Sequence, residues 1–128
     1  MRLLLDTHLL LWAAGRPERL TPAARELLEA PANELLFSAA SLWEIAIKST
    51  LGRTDFRVDP VALRQGLMEN GYTELAISGR HCLATGHLPV LHKDPFDRLL
   101  IAQAQVEGLT LLTADPVVAR YPGPIRSV

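Results

Sequence analysis

Short apolar runs alternate with longer periodic ones along the chain, and turn residues separate them. Arg2 to Leu5 reads as a buried strand ending at Asp6. His8 to Ala14 is apolar enough for a buried helix and stops at Gly15. Thr21-Pro22 combines a helix N-cap with Pro at the first helical position, and predicts a helix to about Ala30. Glu34 to Phe37 is a second strand. Ser38 or Ser41 caps a helix running to Leu51, with Gly52 as its stop. Asp59-Pro60 repeats the cap-and-proline device for a helix to Asn70. Thr73 to Ile77 is a third strand, and Ser78 caps a short helix containing Cys82. The clearest helix spans Asp94 to Glu107 and ends at Gly108. Leu109 to Thr113 is a fourth strand, Pro116 to Arg120 a single helical turn, and Ile125 to Val128 an edge strand. Strands alternating with helices imply parallel pairing. The expected fold is a three-layer α/β/α sandwich with a central, mostly parallel sheet, one domain over residues 1–128.

Composition changes this picture little. Hydrophobic residues make up 48% of the 128 and charged residues 21%, which suits a globular chain with a core. No apolar run reaches the roughly 18 to 20 residues that a membrane span needs. No signal-peptide cleavage pattern follows Met1-Arg2. The lone Cys82 excludes an intramolecular disulfide and a cysteine-cluster metal site. A cytoplasmic protein is the simplest reading. The formal net charge of −1 supplies no long-range attraction to nucleic acid, although a local basic rim can still serve an acidic site.

The acids carry the candidate chemistry. In open α/β sheets, sites form beyond the carboxyl ends of the strands. Asp6 follows the first strand and Asp115 the fourth. Glu44 lies early in the helix after the second strand. Asp97 lies in the first turn of the helix opened by Asp94-Pro95. Each has a structural alternative. Asp94 fits an N-cap, and Asp97 at the third helical position fits a capping box and the helix dipole, which favours its anion. Asp6 and Asp115 fit loop or cap acids, and Glu44 an exposed helical position. A fold that gathers them must still offset their repulsion, roughly 4 kcal/mol for two carboxylates 4 Å apart at an effective dielectric of 20. A hard divalent cation does so, and Mg²⁺ or Mn²⁺ suits oxygen ligands better than Zn²⁺. Such an ion acidifies water and neutralises charge on a phosphodiester.

The segments LLLDTHLLLW, SAASLWEIAIK, DPFDRLLIAQA and LLTAD occur in an order and spacing that resemble PIN-domain proteins, and more narrowly the VapC-like toxins of bacterial type II toxin–antitoxin modules. The resemblance implies a metal-dependent endoribonuclease using Mg²⁺ or Mn²⁺, with RNA as substrate and an acidic quartet at Asp6, Glu44, Asp97 and Asp115. It selects Asp97 over Asp94, leaving Asp94 chiefly as the cap that aims Asp97. Asp6 and Asp97 are then direct metal ligands, and Asp115 completes the site. Glu44 holds a second metal or accepts a proton from the attacking water. Thr7, Ser41 and Thr113 orient a carboxylate or water, or serve as caps and turns. Lys48 and Arg98, with Arg53 and Lys93 behind them, are candidate phosphate contacts. Lys48 fits equally a helical ion pair with Glu44. The four histidines show no paired ligand spacing and fall outside this expected site. The family also implies a homodimer and a small antitoxin protein that wraps the toxin. The apolar segments THLLLWAAG and SLWEIAIKSTLG offer a groove for an amphipathic peptide, or are simply core. Trp12 and Trp43 read as core or interface. A catalytically silent PIN-like module, binding RNA or protein, would lack part of the quartet. A structure-specific DNA nuclease would use the same site. A haloacid-dehalogenase-type phosphatase wants a second Asp where His8 stands, and a receiver domain wants an Asp where the second strand ends in FSAAS.

Overall fold

The computed structural model describes residues 1–128. Five strands, β1 (Arg2–Leu5), β2 (Glu34–Ser38), β3 (Thr73–Leu75), β4 (Thr110–Thr113) and β5 (Ile125–Ser127), form one sheet in the order β3-β2-β1-β4-β5. Every neighbouring pair is parallel, so the sheet expected to be mostly parallel is entirely so. The helices are α1 (Thr7–Gly15), α2 (Pro22–Glu29), α3 (Ala39–Thr50), α4 (Pro60–Glu69), α5 (Gly79–Ala84) and α6 (Pro95–Glu107). Short 3₁₀ turns lie at Pro17–Arg19, Thr54–Phe56, Thr85–His87 and Val118–Arg120. No helix is long and apolar enough to cross a membrane.

The strands are apolar throughout because both faces of the sheet are covered. Leu3, Leu5, Phe37 and Leu112 join a buried cluster with Leu9 and Leu10 of α1 and Leu63 and Leu67 of α4. Leu4, Leu36 and Leu111 point the other way, into a cluster with Leu99 to Ala102 and Ala104 of α6. The period of two along each strand thus assigns successive leucines to opposite layers. Helix α3 serves both clusters, giving Ala40 to one and Ile45 to the other.

Side chains start the helices where the sequence placed them. Thr21, Ser38, Asp59, Ser78 and Asp94 each accept a bond from a backbone N–H of the following turn. Gly108, at φ +67°, closes α6 in the left-handed conformation that glycine adopts without strain. Strand β3 stops at Leu75 rather than Ile77. Its partner β2 ends at Ser38, which pairs with Leu75, so Ala76 and Ile77 have no ladder to join.

Strand β1 is central. The chain moves to β2 on one side, and β4 later docks on the other. That reversal opens a crevice beyond the carboxyl ends of β1 and β4. Asp6 and Asp115 lie there.

Candidate active site

Asp6 ends β1 and starts α1. Its Oδ1 accepts the Leu9 N–H at 2.9 Å, and its Oδ2 accepts the Thr113 hydroxyl at 2.5 Å. The side chain therefore caps a helix and ties β1 to the end of β4. Asp6 is only 5% exposed, and burial pushes its carboxyl above the usual range even though both hydrogen bonds favour the anion. Thr113 Oγ1 also accepts the Asp115 N–H at 3.0 Å, which fixes the turn leaving β4. Asp115 is half-exposed, and its Oδ1 accepts the Val117 N–H at 2.8 Å.

Glu44 is buried at 2% exposure, in place of the solvent-facing position a lone helical Glu would take. Because α3 packs against both layers, the Glu44 side of the helix turns inward. Thr7 Oγ1 donates to Glu44 Oε1 at 2.7 Å and lies 3.0 Å from Ser41 Oγ. Lys48 Nζ stands 2.5 Å from Glu44 Oε2, one helical turn on. The ammonium also sits over the ring of Phe56, 4.8 Å from its centroid. Lys48 is therefore the ion-pair partner of Glu44.

Asp94 is the cap of α6: its Oδ1 accepts the Phe96 and Asp97 N–H groups at 2.8 and 3.3 Å. Asp97, in the first turn, projects toward the other acids. Its carboxyl is pushed up to about 6, chiefly by burial, next by the charge on Asp94, and further by Glu44 and Asp6, while a hydrogen bond from His92 opposes the rise. This corrects the expectation that the helix dipole would leave Asp97 a ready anion. Desolvation and neighbouring acids outweigh a dipole contribution that seldom exceeds about 1 kcal/mol.

His92 enters the cluster, although its sequence spacing gave no reason to include it. Its Nε2 lies 2.8 Å from Asp97 Oδ2 and 4.0 Å from Asp115 Oδ2, linking the acid of α6 to the acid after β4. Ligand atoms of His92, Asp94 and Asp97 fall within 4.8 Å of one another. The available sequence signal was position: His92 precedes the Asp94 cap by two residues, so the chain entering α6 must carry it past the end where Asp97 sits.

Arg98 is engaged by the protein itself. Its guanidinium faces the loop before α6, not an open phosphate site. Nη1 donates to Pro89 O at 2.8 Å and Tyr121 Oη at 3.1 Å, and Nη2 to Thr85 O at 3.0 Å and Leu88 O at 3.5 Å. Arg53 pairs with Asp55 at 3.3 Å, and Lys93 is exposed. Trp43 is 57% exposed and stands edge-on to Phe96, centroids 5.2 Å apart, so it is a surface residue beside the site and not core. Two clefts flank α1 and α3. One of about 1300 Å³ lies between α1 and α4 and includes Trp12; the other, of about 800 Å³, lies between α3 and α4 and includes Trp43.

Thus Asp97 feels the charges of Asp94, Glu44 and Asp6, and His92 connects Asp97 to Asp115. Thr7, Ser41 and Thr113 hydrogen-bond within the same constellation. All the carboxylates offer hard oxygen donors, the donor set that divalent cations such as Mg²⁺ or Mn²⁺ take.

Known proteins are similar to this chain in sequence or in fold. The chain is 31% identical over 124 residues to ribonuclease VapC22 of Mycobacterium tuberculosis, covering 95% of each protein. In structure it is similar to VapBC2 of Rickettsia felis, solved bound to a promoter DNA fragment (17% identity, TM-score 0.74, 100% of this chain and 99% of that one). It is also similar to DNA-bound VapBC of Salmonella typhimurium (17% identity, TM-score 0.68, 99% and 98%). At these identities the structures establish the shared fold. The PIN domain family matches residues 3–124, nearly the whole length, and the chain belongs to that family.

Proposed function

We propose that this protein is a divalent-metal-dependent endoribonuclease and the toxin of a toxin–antitoxin pair. The observation that carries the reading is the meeting of acids from four separate segments at the carboxyl end of the sheet, with Asp97 pushed up to about 6 by burial and its neighbours. A site so short of positive charge suits a cation. The ribonuclease relative, covering 95% of the chain, supports RNA as the substrate.

In this reading Asp6 and Asp97 hold Mg²⁺ or Mn²⁺, and Asp115 completes the site. The ion, when bound, acidifies water and offsets charge gathering on the cleaved phosphodiester. Glu44, held between Thr7 and Lys48, is placed to accept a proton from the attacking water or to hold a second ion. Thr7, with Ser41 beside it, fixes the Glu44 carboxylate. Thr113 fixes Asp6, leaving its other lone pairs for the site. Asp94 aims the first turn of α6. Lys48 remains the candidate phosphate contact, since it is already at the acids. Arg98 does not serve there, because its donors hold the loop.

The partners follow the surface. The cleft between α1 and α4 combines Leu11, Trp12 and Leu67 with Arg16, Arg19 and Arg57, which suits an amphipathic antitoxin segment carrying acids. The exposed Trp43, Val61 and Met68 along α3 and α4 suit a second copy of the chain in a homodimer. The cytoplasm, where mRNA and tRNA lie, is the proposed location.

Cleavage of defined RNAs with Mg²⁺, Mn²⁺ or EDTA tests the reading, beside Asp6→Asn and Asp97→Asn. Both variants should lose cleavage and keep their far-UV circular dichroism. EDTA-resistant cleavage at the wild-type rate by either variant would overturn the proposed site.

A further inference from the structure

We propose that His92 is a positioning residue for Asp97, and that Arg98 and Tyr121 build the loop that holds it there. The inference rests on the reading of Asp97 as a metal ligand, and adds a residue outside the acidic quartet.

Residues between the Thr85–His87 turn and α6 form no regular structure until Pro95. Such a segment orders only where side chains satisfy its backbone. Arg98 satisfies two of its carbonyls, those of Leu88 and Pro89, and ties them to the Thr85 carbonyl of the preceding turn. Tyr121, only 3% exposed, satisfies His92 itself. Its hydroxyl accepts the His92 N–H at 2.8 Å and the Arg98 Nη1–H at 3.1 Å, and donates to the His92 carbonyl at 3.3 Å. One donor and two acceptors exhaust what a hydroxyl can do. The backbone of His92 is thus held on both its polar groups by one buried atom.

That fixation directs the side chain. Nε2 arrives 2.8 Å from Asp97 Oδ2, with Asp115 Oδ2 at 4.0 Å. A nitrogen facing carboxylate oxygens carries the proton and donates. The contacts close a ring, Asp97 to His92 to Tyr121 to Arg98, and Arg98 is the chain neighbour of Asp97. Helix α6 therefore presents the acid and, through its next residue, the clamp on the loop that returns to orient it. Residues that fix a ligating carboxylate in this way commonly change metal affinity or activity by 10- to 100-fold when removed.

The test compares wild-type protein with His92→Ala, His92→Gln, Tyr121→Phe and the His92→Ala/Tyr121→Phe double variant. Three readouts are needed: Mn²⁺ affinity by isothermal titration calorimetry, kcat and KM for a defined RNA, and melting temperature. His92→Ala should weaken Mn²⁺ binding and lower kcat by about 10-fold or more, with KM within about twofold. His92→Gln, which keeps an N–H donor on a side chain of similar reach, should recover most of both at whatever melting temperature it has. Tyr121→Phe should lower kcat less, and add no further loss to His92→Ala. Wild-type Mn²⁺ affinity and kcat in His92→Ala would overturn the proposal. So would a His92→Gln variant as impaired as His92→Ala, because a purely structural loop role does not distinguish donors. Absence of RNA cleavage by the wild-type protein would sink the nuclease reading, while the Mn²⁺ titrations would still decide the role of His92.

Discussion

In the metal-free protein, Asp97→Asn should stabilise the fold at alkaline pH while destroying the proposed site. The Asp97 carboxyl is raised from its ordinary 3.8 to about 6. Below about pH 4 it is protonated both folded and unfolded, and contributes no difference. Between about 4 and 6 the unfolded chain has lost this proton and the folded chain keeps it, so stability falls as pH rises. Above about 6 the folded state carries the full penalty of the anion. Each unit is worth 1.36 kcal/mol, and roughly two units give about 3 kcal/mol as the ceiling. Asn relieves that repulsion but surrenders the charge-assisted bond with His92, which takes back about 1 kcal/mol or more. The net gain is about 1–2 kcal/mol at pH 8, on the order of 5 °C in melting temperature for a chain of this size.

The assay is thermal unfolding of both proteins in EDTA at pH 4, 6 and 8. The gap should open with rising pH and close near pH 4. Mn²⁺ should then invert the order. An ion at 100 times its dissociation constant stabilises the protein that binds it by about 2.7 kcal/mol, and only the wild-type keeps both proposed principal ligands. An Asp97→Asn variant less stable than wild-type at pH 8 in EDTA would refute the claim that Asp97 is held against its charge preference. Equal gains at pH 4 and pH 8 would locate the effect in packing instead.

Other substitutions separate roles that the site combines. Lys48→Met leaves Glu44, 2% exposed, without its cation, and should cost about 3 kcal/mol at neutral pH by urea unfolding. Glu44→Gln in the same chain should recover part of that cost, because it removes the buried charge that Lys48 offsets. Asp94→Ala should lose about 1 kcal/mol through the cap, whereas Asp94→Asn should keep both stability and much of the activity. Abolished cleavage in Asp94→Asn at unchanged stability would place Asp94 among the reacting groups. Arg98→Ala should increase amide exchange across residues 85–94 and lower the melting temperature, and Arg98→Lys should not rescue it, because one ammonium cannot span four acceptors.

How much of this was legible depended on whether the cause was local. Caps are local: Thr21-Pro22, Asp59-Pro60, Ser78 and Asp94-Pro95 each mark a helix start from two adjacent residues, and each does so in the structure. Strand ends are nearly local, which is why Asp6 and Asp115 could be placed at the sheet's carboxyl edge. The burial of Glu44 was not legible, because it depends on α3 being covered on two sides by elements distant in sequence. The Arg98 clamp was hidden for the same reason: its acceptors lie 9 to 23 residues away, and an arginine beside an acidic site reads equally as a phosphate contact. His92 lacked the paired spacing by which ligating histidines announce themselves. Its partner is one carboxylate five residues ahead, brought round by the turn into α6. The irregular turn at Thr54–Phe56 has no periodicity to detect, yet it supplies the buried Phe56 under Lys48.

The acids at the crevice hold the protein together as well as facing its site. Asp6 caps α1 and bridges to β4, Asp94 caps α6, and Asp115 accepts the Val117 N–H. An alanine at any of these positions removes a charge and a structural hydrogen bond together, so lost cleavage in an alanine variant would not separate ligand from scaffold. Asparagine removes the charge and keeps one oxygen acceptor at the same reach for the cap, with an NH2 donor in place of the other oxygen. At Asp6 the contrast is sharpest, because Oδ1 and Oδ2 are both engaged by donors from the protein. If Asp6 matters through its charge, Asn and Ala should abolish cleavage alike while only Ala unsettles the start of α1. If it matters through the cap, Asn should cleave RNA and Ala should not. The ordering of these two variants, more than the loss in either one, distinguishes a metal site built on the fold from a fold whose acids merely sit close together.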